Sequence, residues 1–156
     1  MAAIARNRCG TVGALWALAC VLFFSASLRA DPQREILDLF TSMLADLTGD
    51  NASGFMSGFD RDMPDYGKLK AQVAAMVDEG DVESDIEPAK DSGDDTHHTI
   101  DLDWYLKIRS AVANGPIVER RQIVHCELRK DKKHWRIVSI TPLDFFAPAR
   151  FGARNQ

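Results

Sequence analysis

From Thr99 onward the chain alternates without a break. Ile100, Leu102, Trp104, Leu106 and Ile108 are apolar, and Asp101, Asp103, Tyr105 and Lys107 stand between them. Period-two alternation of this length predicts a strand with one face in the core and one in water. Two more strand-like runs follow, Ile117 to Arg129 and His134 to Thr141. Ala113-Asn114-Gly115 reads as a three-residue hairpin loop with Gly115 in the left-handed conformation. Matching apolar faces then sets Ile100 opposite Leu128, Leu102 opposite Cys126, Trp104 opposite Val124 and Leu106 opposite Gln122. A one-residue slip would exchange the faces and is disfavoured. Across the charged tip Lys130 to Lys133, Leu128 faces Trp135, Cys126 faces Ile137, and Glu127 meets Arg136 as an opposite-charge pair.

The sheet needs a lid, and the residues before it supply one. Ile36, Leu37, Phe40, Met43, Leu44 and Leu47 recur at helical spacing, with Pro32 suited to the first turn and Gly49 to the C-terminal cap. A short helix is predicted over Ala52 to Phe59, capped by Asp50 or Asn51. Asn51-Ala52-Ser53 is also an N-glycosylation sequon, and capping is the preferred reading. Pro64 to Glu79 forms a third helix with Tyr66, Leu69, Val73, Met76 and Val77 as its apolar stripe. Val82 to Glu87 alternates and reads as an edge strand ended by Pro88, followed by a polar turn over Lys90 to Asp95. After Thr141, Phe145 and Phe146 tuck under the helices. A folded domain over 31–147 and a loose tail over 148–156 complete the division.

Residues 1–30 have a different character. Arg6 and Arg8 precede an uncharged, mostly apolar run from Gly10 to Phe24, and small residues follow at Ser25-Ala26-Ser27 and Ala30. This is the pattern of a secretory signal peptide, and it places the mature protein outside the cytoplasm, secreted or periplasmic. An uncleaved anchor is the alternative, since the run approaches the ~17 to 25 residues needed to span a bilayer. After cleavage no membrane association is expected.

Loss of that segment removes three arginines and no acids, so the net charge of −4 becomes −7. Such an acidic balance argues against nucleic acid as a partner. Of the three cysteines only Cys126 remains, so no intramolecular disulfide is possible, and its place on the inner face predicts a buried thiol.

Helix, short helix, helix and antiparallel meander together resemble the nuclear transport factor 2-like superfamily, also called SnoaL-like or ketosteroid isomerase-like. The resemblance rests on the Arg34–Leu47 helix, the Tyr66–Val77 helix, and the strand from Lys133 to Ser139 that leads into Pro142-Leu143-Asp144. It covers most of 33–146. It implies an α+β fold in which N-terminal helices pack on a curved antiparallel sheet, forming a cone with a pocket. It also implies sheet-to-sheet dimers. Members include isomerases, dehydratases, cyclases, epoxide hydrolases and non-catalytic binding proteins, so fold leaves function open.

Isomerase-like members use an aspartate base with tyrosine and protonated-acid donors in an apolar pocket. Here Asp101, Asp103 and Tyr105 alternate to the outer face, which counts against that mechanism. His97 and His98 are adjacent and point to opposite faces of a strand. His125 is expected across from Asp103 with no third ligand, so no metal and no cofactor is predicted. No phosphate-binding glycine loop or nucleophile motif is present.

Polar residues interrupt the inner face at one end: Arg120, Gln122, Ser139 and Thr141, with Gln122 expected opposite Thr141. They mark a pocket mouth. Arg120 is expected to orient a small acidic or amphipathic ligand over Trp104 as apolar floor, with Tyr66 reaching inward from its helix. The function expected is non-catalytic binding of a small ligand or partner. A cofactor-independent lyase, isomerase or hydrolase is the runner-up, and a purely structural subunit the third reading. Ile123, Val138 and Ile140, apolar on the outer face beside Tyr105, predict a homodimer through that face.

The export reading is checked by mass spectrometry of the protein from its own cell. A mature terminus following Ser27 or Ala30 is expected, and an intact Met1 chain in the soluble cytosol would contradict it.

Overall fold

The order of elements follows from where the chain can cap, bury and turn. The computed structural model describes residues 31–151, so residues 1–30, expected to be a signal peptide, and residues 152–156 lie outside the described residues. Helix α1 spans Pro32–Thr48, α2 Ala52–Met56 and α3 Tyr66–Glu79. Strands β1 (Gly80–Gly93), β2 (His97–Ser110), β3 (Ile117–Asp131) and β4 (His134–Thr141) follow, and a single 3-10 turn, Leu143–Phe146, closes the series. The four strands form one antiparallel sheet in sequential order.

Asp31 caps α1 by accepting from the Gln33 amide at 3.2 Å, and Pro32 occupies the first turn, where its missing N–H costs nothing. The helix buries Ile36, Phe40, Met43 and Leu47 against the sheet, each worth about 2 kcal/mol. Asn51 caps α2: its side-chain oxygen accepts from Gly54 N at 2.9 Å while its amide donates to Asp46 at 2.7 Å. The sequon side chain is thus engaged at both ends.

Three strand boundaries and registers differ from expectation. β1 does not stop at Pro88 but runs on to Gly93, because a bulge at Ala89 absorbs the proline on an edge. The turn falls instead at Asp94–Thr96. There the Asp94 carboxylate accepts from Thr96 N (2.7 Å), Thr96 Oγ1 (2.7 Å) and His97 N (2.9 Å). These bonds, led by the one from the Thr96 hydroxyl, pull its pKa down to about 2.

The β2–β3 register is displaced by two residues. Ile100 faces Cys126, Leu102 faces Val124, Trp104 faces Gln122 and Leu106 faces Arg120. The connection is longer than three residues, with Ser110 N bonded to Pro116 O at 3.1 Å, and Asn114 rather than Gly115 is left-handed (φ 57°). Gly115 is needed for space, since a Cβ there would lie 2.7 Å from the Ser110 Cβ. A shift of two preserves every face, so the inner set survives intact.

β3–β4 departs further. The turn is the two residues Lys132-Lys133, so Leu128 faces Ile137 and Arg129 faces Arg136; the expected Glu127–Arg136 pair does not form. A bulge then leaves Val138 unpaired and turns the rest of β4 over. Ile140 enters the core, whereas Ser139 and Thr141 pair with Glu127 and His125 on the outer side. The edge of β4 is covered where Phe59 forms a parallel bridge to Ile137. Ile137 N donates to Gly58 O at 3.0 Å and Asp60 N donates to Ile137 O at 2.8 Å.

Beyond the sheet, Phe145, Phe146 and Ala149 are buried, so the expected loose tail is held on the core at its start. Cys126 is fully buried, and desolvation pushes its thiol pKa well up.

The bulge yields a stability contrast between two isoleucines that simple alternation assigns to the same outer face. Ile140→Ala is expected to cost about 2 to 5 kcal/mol, and Ile123→Ala, read at a dilution where the protein is monomeric, to stay within about 0.5 kcal/mol. Urea unfolding of the two variants checks it, and similar losses for both would refute the bulge register.

Candidate functional site

The inner face was expected to supply a pocket floored by Trp104. Instead Trp104 has no exposed surface. Its indole N–H donates to the Ser84 hydroxyl at 2.8 Å. Its ring lies 6.3 Å from Phe40 and from Phe55, 6.2 Å from Phe145 and 5.1 Å from Phe146, centroid to centroid. Four phenylalanines therefore fill the space above the expected floor.

Arg120 is on the inner side of β3, opposite Leu106, but its donors are taken. The guanidinium donates to the carbonyls of Phe145 (2.9 Å), Ala147 and Pro148 (3.1 Å). Burial pulls its pKa down, and the charge of Glu79 opposes that shift. Gln122 lies opposite Trp104 with its side chain in solvent. Ser139 and Thr141 are on the other face, as the Val138 bulge requires. Tyr66 opens α3. Trp104, Gln122 and Arg120 are thus neighbours on β2 and β3, whereas Ser139 and Thr141 lie on the other face of the sheet.

The outer face is wet and paired. Arg121 grips Asp103 through three bonds of 3.0, 3.2 and 2.9 Å, and this pairing holds the Asp103 carboxyl below its ordinary value. His125 Nδ1 lies 2.6 Å from Asp101, not from Asp103, a consequence of the two-residue register difference. Burial, then a hydrogen bond with Glu119, push the Tyr105 pKa up. Among the described residues no group of three or more His, Cys, Asp or Glu side chains is placed to hold a metal. No helix among them is long and apolar enough to cross a membrane.

A concavity exists outside the cone, where the α2–α3 connection meets β4. It holds about 420 Å³ and is lined by Met56 and Phe59 below and by Ser57, Arg61, Tyr66 and Arg136 around the rim. Asp60 and Asp131 also border it. The like-charged pair Arg129 and Arg136 shapes this wall. Directly opposite one another, they turn apart, Arg129 to Asp60 at 2.7 Å and Arg136 to the Ser57 carbonyl.

A second recess of about 340 Å³ adjoins it, sharing Ser57 and Arg136, with Glu35, Asp38 and His134 on its walls. Glu35 there accepts from Lys130 (2.5 Å) and from the Trp135 indole (2.9 Å), and the Lys130 bond chiefly lowers its pKa. Of the residues singled out in the sequence only Tyr66 lies in the larger recess. Arg61 and Ser57 gave no signal, and Arg136 was expected only as a partner of Glu127, because the wall is made by a contact between Phe59 and Ile137, far apart in the chain.

No protein-family model matches the chain, and no curated protein matches it in sequence. Solved structures do resemble it. A conserved protein from Planctomyces limnophilus matches with TM-score 0.63 at 10% identity, over 69% of this chain and 91% of that one. A candidate scytalone dehydratase from Novosphingobium aromaticivorans matches with TM-score 0.58 at 11% identity, over 69% and 80%. An NTF-2 like protein of unknown function from Shewanella oneidensis matches with TM-score 0.54 at 8% identity, over 70% and 97%. At such identities the likeness is one of architecture: helices followed by a four-stranded antiparallel sheet. The chain has the nuclear transport factor 2-like fold, the one its pattern of helices and strands resembles.

Proposed function

We propose that the protein is an exported, non-catalytic binding domain that takes a small amphipathic acid in the recess between Tyr66 and Arg136. The observation that carries this reading is the lining: Met56 and Phe59 form an apolar floor, and Arg61, Arg136, Ser57 and Tyr66 supply polar groups at the rim. Seven of the nine lining residues are polar, and the volume of some hundreds of Å³ is in the range of small-molecule sites. Asp60 is neutralised by Arg129, so guanidinium groups outnumber carboxylates around the recess and favour an anion. The ligand's apolar body rests on Met56 and Phe59, and its carboxylate meets Arg61 and the free face of Arg136.

The absence of chemistry in this reading rests on the positions of the acids. Asp60 accepts from Arg129 and from Asp62 N at 2.9 Å, and Trp104 and Arg120 are committed within the fold. A cofactor-independent lyase, isomerase or hydrolase is the second reading, favoured by the presence of Asp131 and Tyr66 in the same recess.

Calorimetric titration of decanoate, with decanol as uncharged control, tests the proposal. Decanoate is expected to bind better than decanol, and Arg61→Ala to weaken it about tenfold, the worth of one hydrogen bond to a charged group. Equal binding of acid and alcohol, or indifference to Arg61→Ala, would remove the recess as the site.

Homodimerisation through the outer sheet face belongs to the same proposal, on a smaller patch than the sequence suggested. Ile140 is turned inward, which leaves Ile123, half exposed at 50%, with Val138 and Tyr105 partly covered. Sedimentation at micromolar concentration should give a dimer that Ile123→Lys converts to monomer. A wild-type monomer would rule it out.

A further inference from the structure

The two edges of the sheet are finished differently. β4 is covered by Gly58–Asp60, which bonds to both backbone groups of Ile137. β1, at the other end, has β2 as its only strand neighbour among the described residues. Its second side offers backbone N–H and C=O groups that no strand answers, a template for one strand more. The stretch has definite limits. It begins after Gly80 and closes at Pro88, which has no N–H to give, and at the Ala89 bulge, where the register breaks.

The side chains of this edge are patterned. Asp81, Glu83, Asp85 and Glu87 alternate on the outer face, all exposed, with Val82, Ser84 and Ile86 between them on the core side. Two of the four acids are answered within the sheet, Glu83 by Lys107 at 2.8 Å and Glu87 by Arg121 at 3.9 Å. Asp81 and Asp85 enter no ion pair with a described residue. A second copy is the wrong occupant, because β1 laid beside β1 opposes acid to acid, and like charges facing across strands destabilise. A strand in which basic and apolar residues alternate meets both faces. Its cations lie over Asp81 and Asp85, and its apolar side chains lie beside Val82 and the half-buried Ile86.

We propose that Asp81–Glu87 is a docking edge for an extended basic peptide of a partner protein, which joins the sheet beside β1 as a fifth strand. Backbone bonds supply the attachment, and the two unanswered aspartates select the sign of the partner's charge. This edge is apart from the recess at Tyr66 and stands without it.

The probe is the acetylated and amidated peptide Lys-Val-Lys-Val-Lys-Val-Lys, titrated by calorimetry into the purified protein at low ionic strength. One control has glutamate in place of each lysine. The other is the lysine peptide N-methylated at every residue, which keeps the charge and removes the backbone donors. The lysine peptide is expected to bind, and both controls to bind at least about tenfold more weakly. Hydrogen exchange at β1 amides between Asp81 and Glu87 should slow with the lysine peptide, while α1 amides stay unchanged. Asp81→Lys with Asp85→Lys should weaken the lysine peptide about tenfold, the worth of two exposed ion pairs, and strengthen the glutamate peptide. If that double variant does not fold, Asp81→Asn with Asp85→Asn carries the comparison for the lysine peptide.

Equal binding of the N-methylated peptide would mark mere attraction of a cation to an acidic protein and overturns the proposal. So does a lysine peptide that fails to bind, β1 exchange unaltered at saturating peptide, or affinity indifferent to the charges at Asp81 and Asp85.

Discussion

The structure depends on the burial of one polar donor. Trp104 sits at the centre of the inner face with its indole N–H sealed from water, and such a donor left without a partner costs about 1 to 3 kcal/mol. The acceptor is Ser84, from the neighbouring edge strand and two residues along from Ile86, which faces Trp104. That bond fixes β1 on β2 where the inner residues of β1 are otherwise weakly apolar. The ring then collects Phe40 from α1, Phe55 from α2 and Phe145 and Phe146 from the final turn. Elements remote in sequence meet on one side chain, so the helices, the edge strand and the chain end are set by the same contact.

Filling that space has a consequence for function. A cone of this fold offers an interior only where the inner side chains leave one, and here the aromatic cluster claims it. Of the polar residues that mark the pocket mouth in the sequence, Arg120 is satisfied by the protein itself, its guanidinium donating to three backbone carbonyls, while Gln122 is exposed. On the opposite face the ion pairs of Asp103 with Arg121 and Glu83 with Lys107 are mostly solvated. Pairs of that kind contribute about 0 to 1 kcal/mol each. They keep the sheet's outer surface wet more than they hold it together.

Alternation told which side of each strand faces the core, because burial imposes it residue by residue, and the ten inner residues from Ile100 to Ile137 were readable for that reason. It did not tell which residues face one another. A displacement by two leaves every face unchanged, so the hydrophobic pattern of β2 and β3 fits the observed and the expected registers equally well. Ile137-Val138-Ser139-Ile140 hides its bulge for a related reason. With Val138 apolar, either Val138 or its neighbours satisfies the pattern, and only the pairing of Glu127 with Ser139 decides. The α+β architecture was legible because helical and strand periodicities occupy separate halves of the chain. Of the candidate site only Tyr66 was, because the recess is built by a contact that no local pattern encodes.

That contact also explains why a recess forms there at all. β4 is an edge strand, and unpaired edge groups invite association with other chains. Gly58–Asp60 covers the edge by bonding to both backbone groups of Ile137, which brings the α2–α3 connection against the sheet. The connection cannot lie flat, because Arg129 and Arg136 stand opposite each other beneath it and each needs a partner. Asp60 answers the first and the Ser57 carbonyl the second, so the two guanidinium groups diverge. The space between the diverging arginines, Tyr66 at the start of α3 and the apolar Met56 and Phe59 is left unfilled. The protection of a sheet edge and the separation of two like charges thus produce the concavity beside Tyr66 and Arg136.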